Sequence, residues 1–297
     1  MRRTRFFTAL LTFVFLTAFL RADCAKDQDH RSSKNSGLLI TDFSISGTQT
    51  LSSDELAKIT NELIGSCFDE NSEELEERVQ ALFKNRGYLI MEVQSLRVKP
   101  IDPTAVPKPA RLEADVLEGP RFRLAEINFT GNHAFTADEL RSKFLLKKGD
   151  PLARDKIAGG LDDLRQLYVS HGFLDFTTIP EVQIPSDGTA ILSISILEHV
   201  QYHMGKLEVF AKKEAADSLR SKWELPEGAV FDRTYLDTYI GSNRSLLPPE
   251  FQREHVQIVR DCPNATVDVR LPLDAMNPRS QLLPQDSECD SPVENSK

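Results

Sequence analysis

Hydrophobic positions along the chain change rhythm several times, and the changes recur in the same order. ITDFSISGTQTLSSDEL (40–56) lies on LAEINFTGNHAFTADEL (124–140) without a gap, 84 residues apart. Each stretch begins as a short strand, with Ile40, Phe43 and Ile45 in the first and Leu124, Ile127 and Phe129 in the second. The alternation is cleanest at its end, where Phe43/Ile45 and Ile127/Phe129 share one face. Gly47 and Gly131 end these strands, and SSDE (52–55) and TADE (136–139) then open helices. In each, Ser52 or Thr136 accepts from the backbone N–H three residues on, while Glu55 or Glu139 reaches back.

The pattern continues through a second helix and a hairpin. Gly-x-x-apolar follows the first helix in GSCF (65–68), GDPL (149–152) and GAVF (228–231), which places Gly65, Gly149 and Gly228 as left-handed helix stops. Apolar residues at 75, 79, 82 and 83, and at 157, 161, 164, 167 and 168, make one stripe on each second helix. Those helices end at Gly87 and Gly172, in NRGYL and SHGFL, and extended segments 91–100 and 175–185 come next. Final strands are predicted at 111–119 and 190–198. A third, weaker copy begins with MGKLEVFA (204–211), and LRSKWELPEG (219–228) matches LRSKFLLKKG (140–149). It closes with strands in 255–261 and 265–273, but SLLPPEF (245–251) lacks the Gly-aromatic-Leu corner. The fold class is therefore α+β: three tandem β-α-α-β-β units, each a three-stranded sheet with two helices on one face.

The chain ends change where such an array would sit. MRRTR followed by FFTALLTFVFLTAFL (6–20) reads as a secretory signal, 1–24, followed by a polar linker, 25–37. The apolar run is shorter than the roughly 20 residues of a membrane span, although an uncleaved anchor stays open. Residues 276–297 are rich in Pro, Ser and acid and read as a disordered tail. The formal charge is −9, and losing residues 1–24 removes four Arg and one Asp. An acidic exported body argues against nucleic acid, whose binding depends on Lys and Arg. The spacing of Cys24, Cys67, Cys262 and Cys289 matches no zinc motif. Export permits a Cys262–Cys289 disulfide, while free, partly buried thiols are the expectation.

Strand, Gly-Asn, helix, Gly-x-x-[LF], helix and Gly-[YF]-Leu, closed by a hairpin, resembles the POTRA (polypeptide-transport-associated) domain. That module belongs to the periplasmic part of outer-membrane barrel-assembly factors and two-partner secretion transporters. The second copy, FRLAEINFTGNHAFTADELRSKFLLKKGD…LYVSHGFLDF, resembles it best. The resemblance divides the body into POTRA-like units at 38–119, 120–199 and 200–275. About 22 residues come after position 275, and they do not alternate; a barrel needs at least about eight strands of about 9–11 residues. No transmembrane barrel is expected within this sequence.

The resemblance implies binding of protein by strand addition to an exposed sheet edge, at the strand after Gly-[YF]-Leu. In this sequence that places Asp175, Phe176, Thr177, Thr178, Ile179, Glu181 and Val182, and Met91, Val93, Gln94 and Ser95, on polypeptide-binding edges. Pro180 and Pro185 suit an edge strand, and Lys99 is a typical edge guard. The plain alternative is a solvent-facing edge without a ligand. Implied partners are unfolded outer-membrane proteins or a separate barrel or assembly component, in the periplasm, with peripheral association with the outer membrane open. The other functional reading is an inner-membrane-anchored POTRA protein recruiting partners, as in cell division. No catalytic motif of the G-x-S-x-G, P-loop, H-E-x-x-H or Rossmann type occurs, so neither an enzyme nor a cofactor is expected. His199 and His203 stand four apart without a clear third metal ligand. Asp162/Asp163 and Glu73/Glu74 read as solvated helix faces, and Trp223, standing where Phe144 stands in the repeat, as core.

Overall fold

The structure is a computed structural model that describes residues 37–68, 72–185 and 188–274. The expected signal, linker 25–36, tail, Cys24 and Cys289 lie outside the described residues. Two compact units divide the chain, one drawn from Met1–Leu82 and Met91–Glu118, the other from Phe83–Ile90 and Gly119–Lys297.

Repeat one contributes strand β1 (Leu38–Ser46), helix α1 (Ser53–Asn61), strand β2 (Cys67–Phe68), helix α2 (Ser72–Lys84), and strands β3 (Glu92–Pro100) and β4 (Lys108–Leu117). Repeat two continues with β5 (Arg123–Thr130), α3 (Ala137–Arg141), α4 (Arg154–Val169), β6 (Thr177–Gln183) and β7 (Thr189–Leu197). Repeat three has β8 (His203–Phe210), α5 (Lys213–Ser221), α6 (Tyr235–Ser242), β9 (Gln257–Asp261) and β10 (Thr266–Pro272). In each sheet the first strand lies parallel to the last, and the middle strand runs antiparallel on the far side of the last. Parallel neighbours need a long crossover, and the two helices supply it.

The first strand of every repeat carries a register shift at the same place, between Ile40 and Asp42, between Leu124 and Glu126, and between Met204 and Leu207. An extra residue there reverses the facing of the positions beyond it. That is why Ile40 and Phe43, or Leu124 and Ile127, both reach the core although they stand three apart. Both expected capping boxes form, with Glu55 N–H donating to Ser52 Oγ and Glu139 N–H to Thr136 Oγ1, each at 3.3 Å.

In repeat two the core joins one face of the sheet (Leu124, Ile127, Leu192, Ile194) to Leu140, Phe144, Leu164 and Tyr168 of the helical layer. Repeat three gathers Met204, Val209, Val267 and Val269 against Leu219, Phe231, Leu236 and Tyr239. Trp223 packs edge-on against Tyr235 and Tyr239 and donates its Nε1–H to Leu225 O at 2.6 Å. The first sheet departs from the expected three strands. Cys67–Phe68 pairs with Leu38–Leu39, making β2 a fourth, two-residue strand. Cys67 and Cys262 are each disulfide-bonded, which corrects the expectation of free thiols.

A carboxylate holds the turn after the first strand in two repeats. Glu118, 3% exposed, accepts from the backbone N–H of Gln49 at 2.6 Å and of Thr50. Glu198 Oε1 does the same for His133 and Ala134 at 2.8 and 2.9 Å, and accepts from Tyr168 OH at 2.9 Å. Burial, and then this carboxylate neighbour, push the Tyr168 pKa well up, so the phenol stays protonated and a donor at neutral pH. Neither glutamate stands out by hydrophobic pattern. The available signal is Leu-Glu before Gly119 or His199, which both take positive φ where the last strand ends.

Candidate polypeptide-binding edges

A three-stranded sheet has two edges, and here the start of one of them is covered by the chain's own backbone. The Gly-x-x-apolar segment lies along the first strand in all three repeats. Gly65, Gly149 and Gly228 donate N–H to the carbonyls of Ile40, Leu124 and Met204, each at 2.7 or 2.8 Å. In return Ile40, Leu124 and Met204 donate to Ser66, Asp150 and Ala229 at 3.0, 2.9 and 2.7 Å. Further along, Leu152 and Phe231 donate to Phe122 and Tyr202 at 3.0 and 2.9 Å. These bonds satisfy backbone groups that would otherwise face outward along the first strand. The glycines that look like helix stops therefore also begin an edge cover.

The other edge belongs to the strand after the corner: among the described residues β3, β6 and β9 are each paired on one side only. They are not equivalent. β3 has a register shift between Val93 and Ser95 that leaves Gln94 as the extra residue. Its solvent face carries charge, with Lys99 Nζ 2.7 Å from Glu113, whose carboxyl that hydrogen bond holds below its ordinary pKa. β6 pairs regularly with β7 from Thr177 to Gln183. It leaves Ile179 49% and Val182 40% exposed, with Ile184 just beyond at 45%. Thr178 and Glu181 lie on the same strand.

Three of the expected edge residues belong elsewhere. Phe176 is buried and stacks on Tyr168 at 4.0 Å between ring centroids, because the chain is still leaving the corner there. Met91 is likewise buried, one residue before β3. Asp175 is held in a joint: its Oδ1 lies 2.7 Å from Arg260 Nη1 and its Oδ2 accepts from Tyr202 OH at 3.0 Å.

The joint arises from the two Gly-aromatic-Leu corners, which do the same work in the second unit. Gly87 O accepts from Phe122 N–H at 2.8 Å, and Gly172 O from Tyr202 N–H at 2.9 Å. Arg121 Nε donates to Arg86 O at 2.9 Å, and Gln201 Nε2 to His171 O at 3.0 Å. Arg121 also sits over the Tyr88 ring, 5.6 Å from its centroid, and Leu174 packs into the core of repeat three. The corner thus ends a helix, starts the open edge and seats the stretch before the next first strand.

Three sheets of order first–last–middle, each with a first strand covered at its start and an open middle strand, have the fold of tandem POTRA modules. Residues 122–199 match the family model POTRA, described as a surface antigen variable number repeat, so repeat two is a POTRA domain. The crystal structure of Haemophilus influenzae BamA POTRA3-5 covers 81% of this chain and is itself covered to 98%, with a TM-score of 0.56 and 17% identity. The N-terminal domain of Omp85 from Thermosynechococcus elongatus covers 79% of the chain, with a TM-score of 0.31 and 14% identity. A curated relative from Treponema pallidum (strain Nichols), bearing the name of an outer membrane protein assembly factor, is 24% identical over 177 residues. Those residues are 58% of this chain and 21% of the relative, so the chain spans about a fifth of that protein's length.

Proposed function

We propose that the chain is an exported, non-catalytic scaffold that binds extended polypeptide by strand addition along β6, in outer-membrane protein assembly or secretion. The carrying observation is the asymmetry of the sheet in repeat two. Its first strand is covered by backbone at its start, Phe122–Leu124, while β6 is open along its length and presents Ile179 and Val182 to solvent. An open strand offers backbone donors and acceptors that pair with little demand on the partner's sequence, and exposed side chains add apolar contact. Pro180 defines how the edge is used. Having no N–H, it is tolerated where that group would point away from the neighbouring strand. Two-residue alternation then directs the N–H groups of Thr178 and Val182 outward. β3, with its irregular register and Lys99–Glu113 pair, is the guarded edge by comparison.

Photoreactive residues placed at Ile179 and Val182 test this. With an unfolded outer-membrane protein, both should give adducts well above those from the same probe at Asp162, on the exposed face of α4. Equal yields at all three positions would remove β6 as the binding edge.

A further inference from the structure

We infer that the second unit carries another binding site, a cleft between α4 of repeat two and the α6–β9 side of repeat three, which takes an acidic extended peptide. The cleft encloses about 500 Å³, within the range of sites that hold small ligands or a few residues of chain. Three arginines line it, Arg165, Arg233 and Arg253. Arg253 Nε lies 3.3 Å from Asp237. The guanidinium groups of Arg165 and Arg233 have no hydrogen bond or ion pair among the described residues.

Arg233 is half-buried. An arginine withdrawn from water usually acquires a carboxylate partner. Here the acids on the cleft wall are Asp237, already engaged, and Glu254, which is exposed. The arrangement thus leaves the exposed Arg165 and the half-buried Arg233 on the cleft wall without a bonded acceptor. A carboxylate is the group a guanidinium fork matches best, with two parallel N–H···O bonds.

The remainder of the wall favours a peptide over a lipid headgroup. Val169, Val256 and Ile258 supply apolar floor, and Ile258 belongs to β9, the open middle strand of its sheet. A chain lying beside β9 could place an Asp or Glu side chain between the arginines while its apolar neighbours meet that floor. The cleft is made by residues separate from β6, so this inference does not depend on strand addition there.

The test uses the full chain and two labelled ten-residue peptides of alternating Thr and Val, one with two central Glu and one with Gln in their place. Fluorescence anisotropy should give about tenfold or more tighter binding for the Glu peptide, as expected for charge-assisted pairing. R165Q/R233Q should erase that preference while its thermal unfolding stays that of the parent. Val182→Pro, which disables β6, should leave the preference intact. Equal affinity for the two peptides would overturn the inference, as would a preference that survives R165Q/R233Q. Displacement of the Glu peptide by phosphatidylglycerol vesicles, dependent on the same arginines, would reassign the site to lipid and overturn it too.

Discussion

Arg260→Ala is expected to destabilise repeats two and three by roughly 2–3 kcal/mol and to split their unfolding into two transitions. The Arg260 side chain is 9% exposed and that of Asp175 22%, so each charge is largely withdrawn from water and depends on the other. Removing one partner of a fully buried pair costs roughly 3–5 kcal/mol, and the part of Asp175 that remains wet lowers the expectation. The pair links the end of one repeat's corner to the middle strand of the next. Its loss therefore acts on coupling as well as on stability. Urea unfolding followed by Trp223 fluorescence, which reports repeat three, and by far-UV circular dichroism, which reports the whole, should separate after the substitution. In the parent chain the two curves should coincide over the second unit's transition. A double-mutant cycle with Asp175→Ala should return a coupling of about 1–3 kcal/mol. Additive effects would mean that the contact does not hold the repeats together.

Gly131→Ala should cost about 2–5 kcal/mol, roughly two to three times the cost of Gly149→Ala. Both glycines have positive φ, 77° and 90°, so alanine is strained at either place by about 1–2 kcal/mol. What differs is the space. A Cβ on Gly131 would fall 2.2 Å from Ile196 O, a backbone atom of β7 that cannot swing aside, whereas one on Gly149 would meet nothing within 4 Å. Relieving the first contact means displacing a strand from the sheet, which adds an overpacking cost of about 1–3 kcal/mol. Thermal or urea unfolding of the two variants measures the difference. Equal losses would show that backbone conformation alone requires glycine after the first strand.

Much of this architecture is legible in the sequence because each repeat restates it. The 84-residue alignment, the capping boxes at Ser52 and Thr136 and the corners at Gly87 and Gly172 are local signals, and local chemistry forms each of them. The order of strands within the sheet is less accessible, since periodicity says which face a residue takes but not which strand lies beside it. Imperfect alternation around Thr41 and Ala125 is a trace of the extra bulge residue, visible only once the register is known. The edge cover at residues 65–68, 149–152 and 228–231 reads in the sequence as helix stop and core plug, because its backbone bonds join residues distant along the chain. Of the candidate edge, Ile179 and Val182 do lie exposed on the open strand, whereas Asp175 and Phe176 precede it. At those two positions the corner has not yet released the chain, and Arg260, 85 residues on, claims the carboxylate. The arginine cleft leaves no sequence signal at all. Arg165, Arg233 and Arg253 meet only because the corner at Gly172 seats repeat three against α4.

The most direct test of strand addition is amide hydrogen exchange on β6, measured with and without an unfolded outer-membrane protein. Backbone pairing on the open side should slow exchange at Thr178 and Val182 by about tenfold or more, while amides of β4 and β10 keep their rates. Unchanged exchange at Thr178 and Val182 under saturating polypeptide would contradict the account, because a strand cannot be added there without covering those groups.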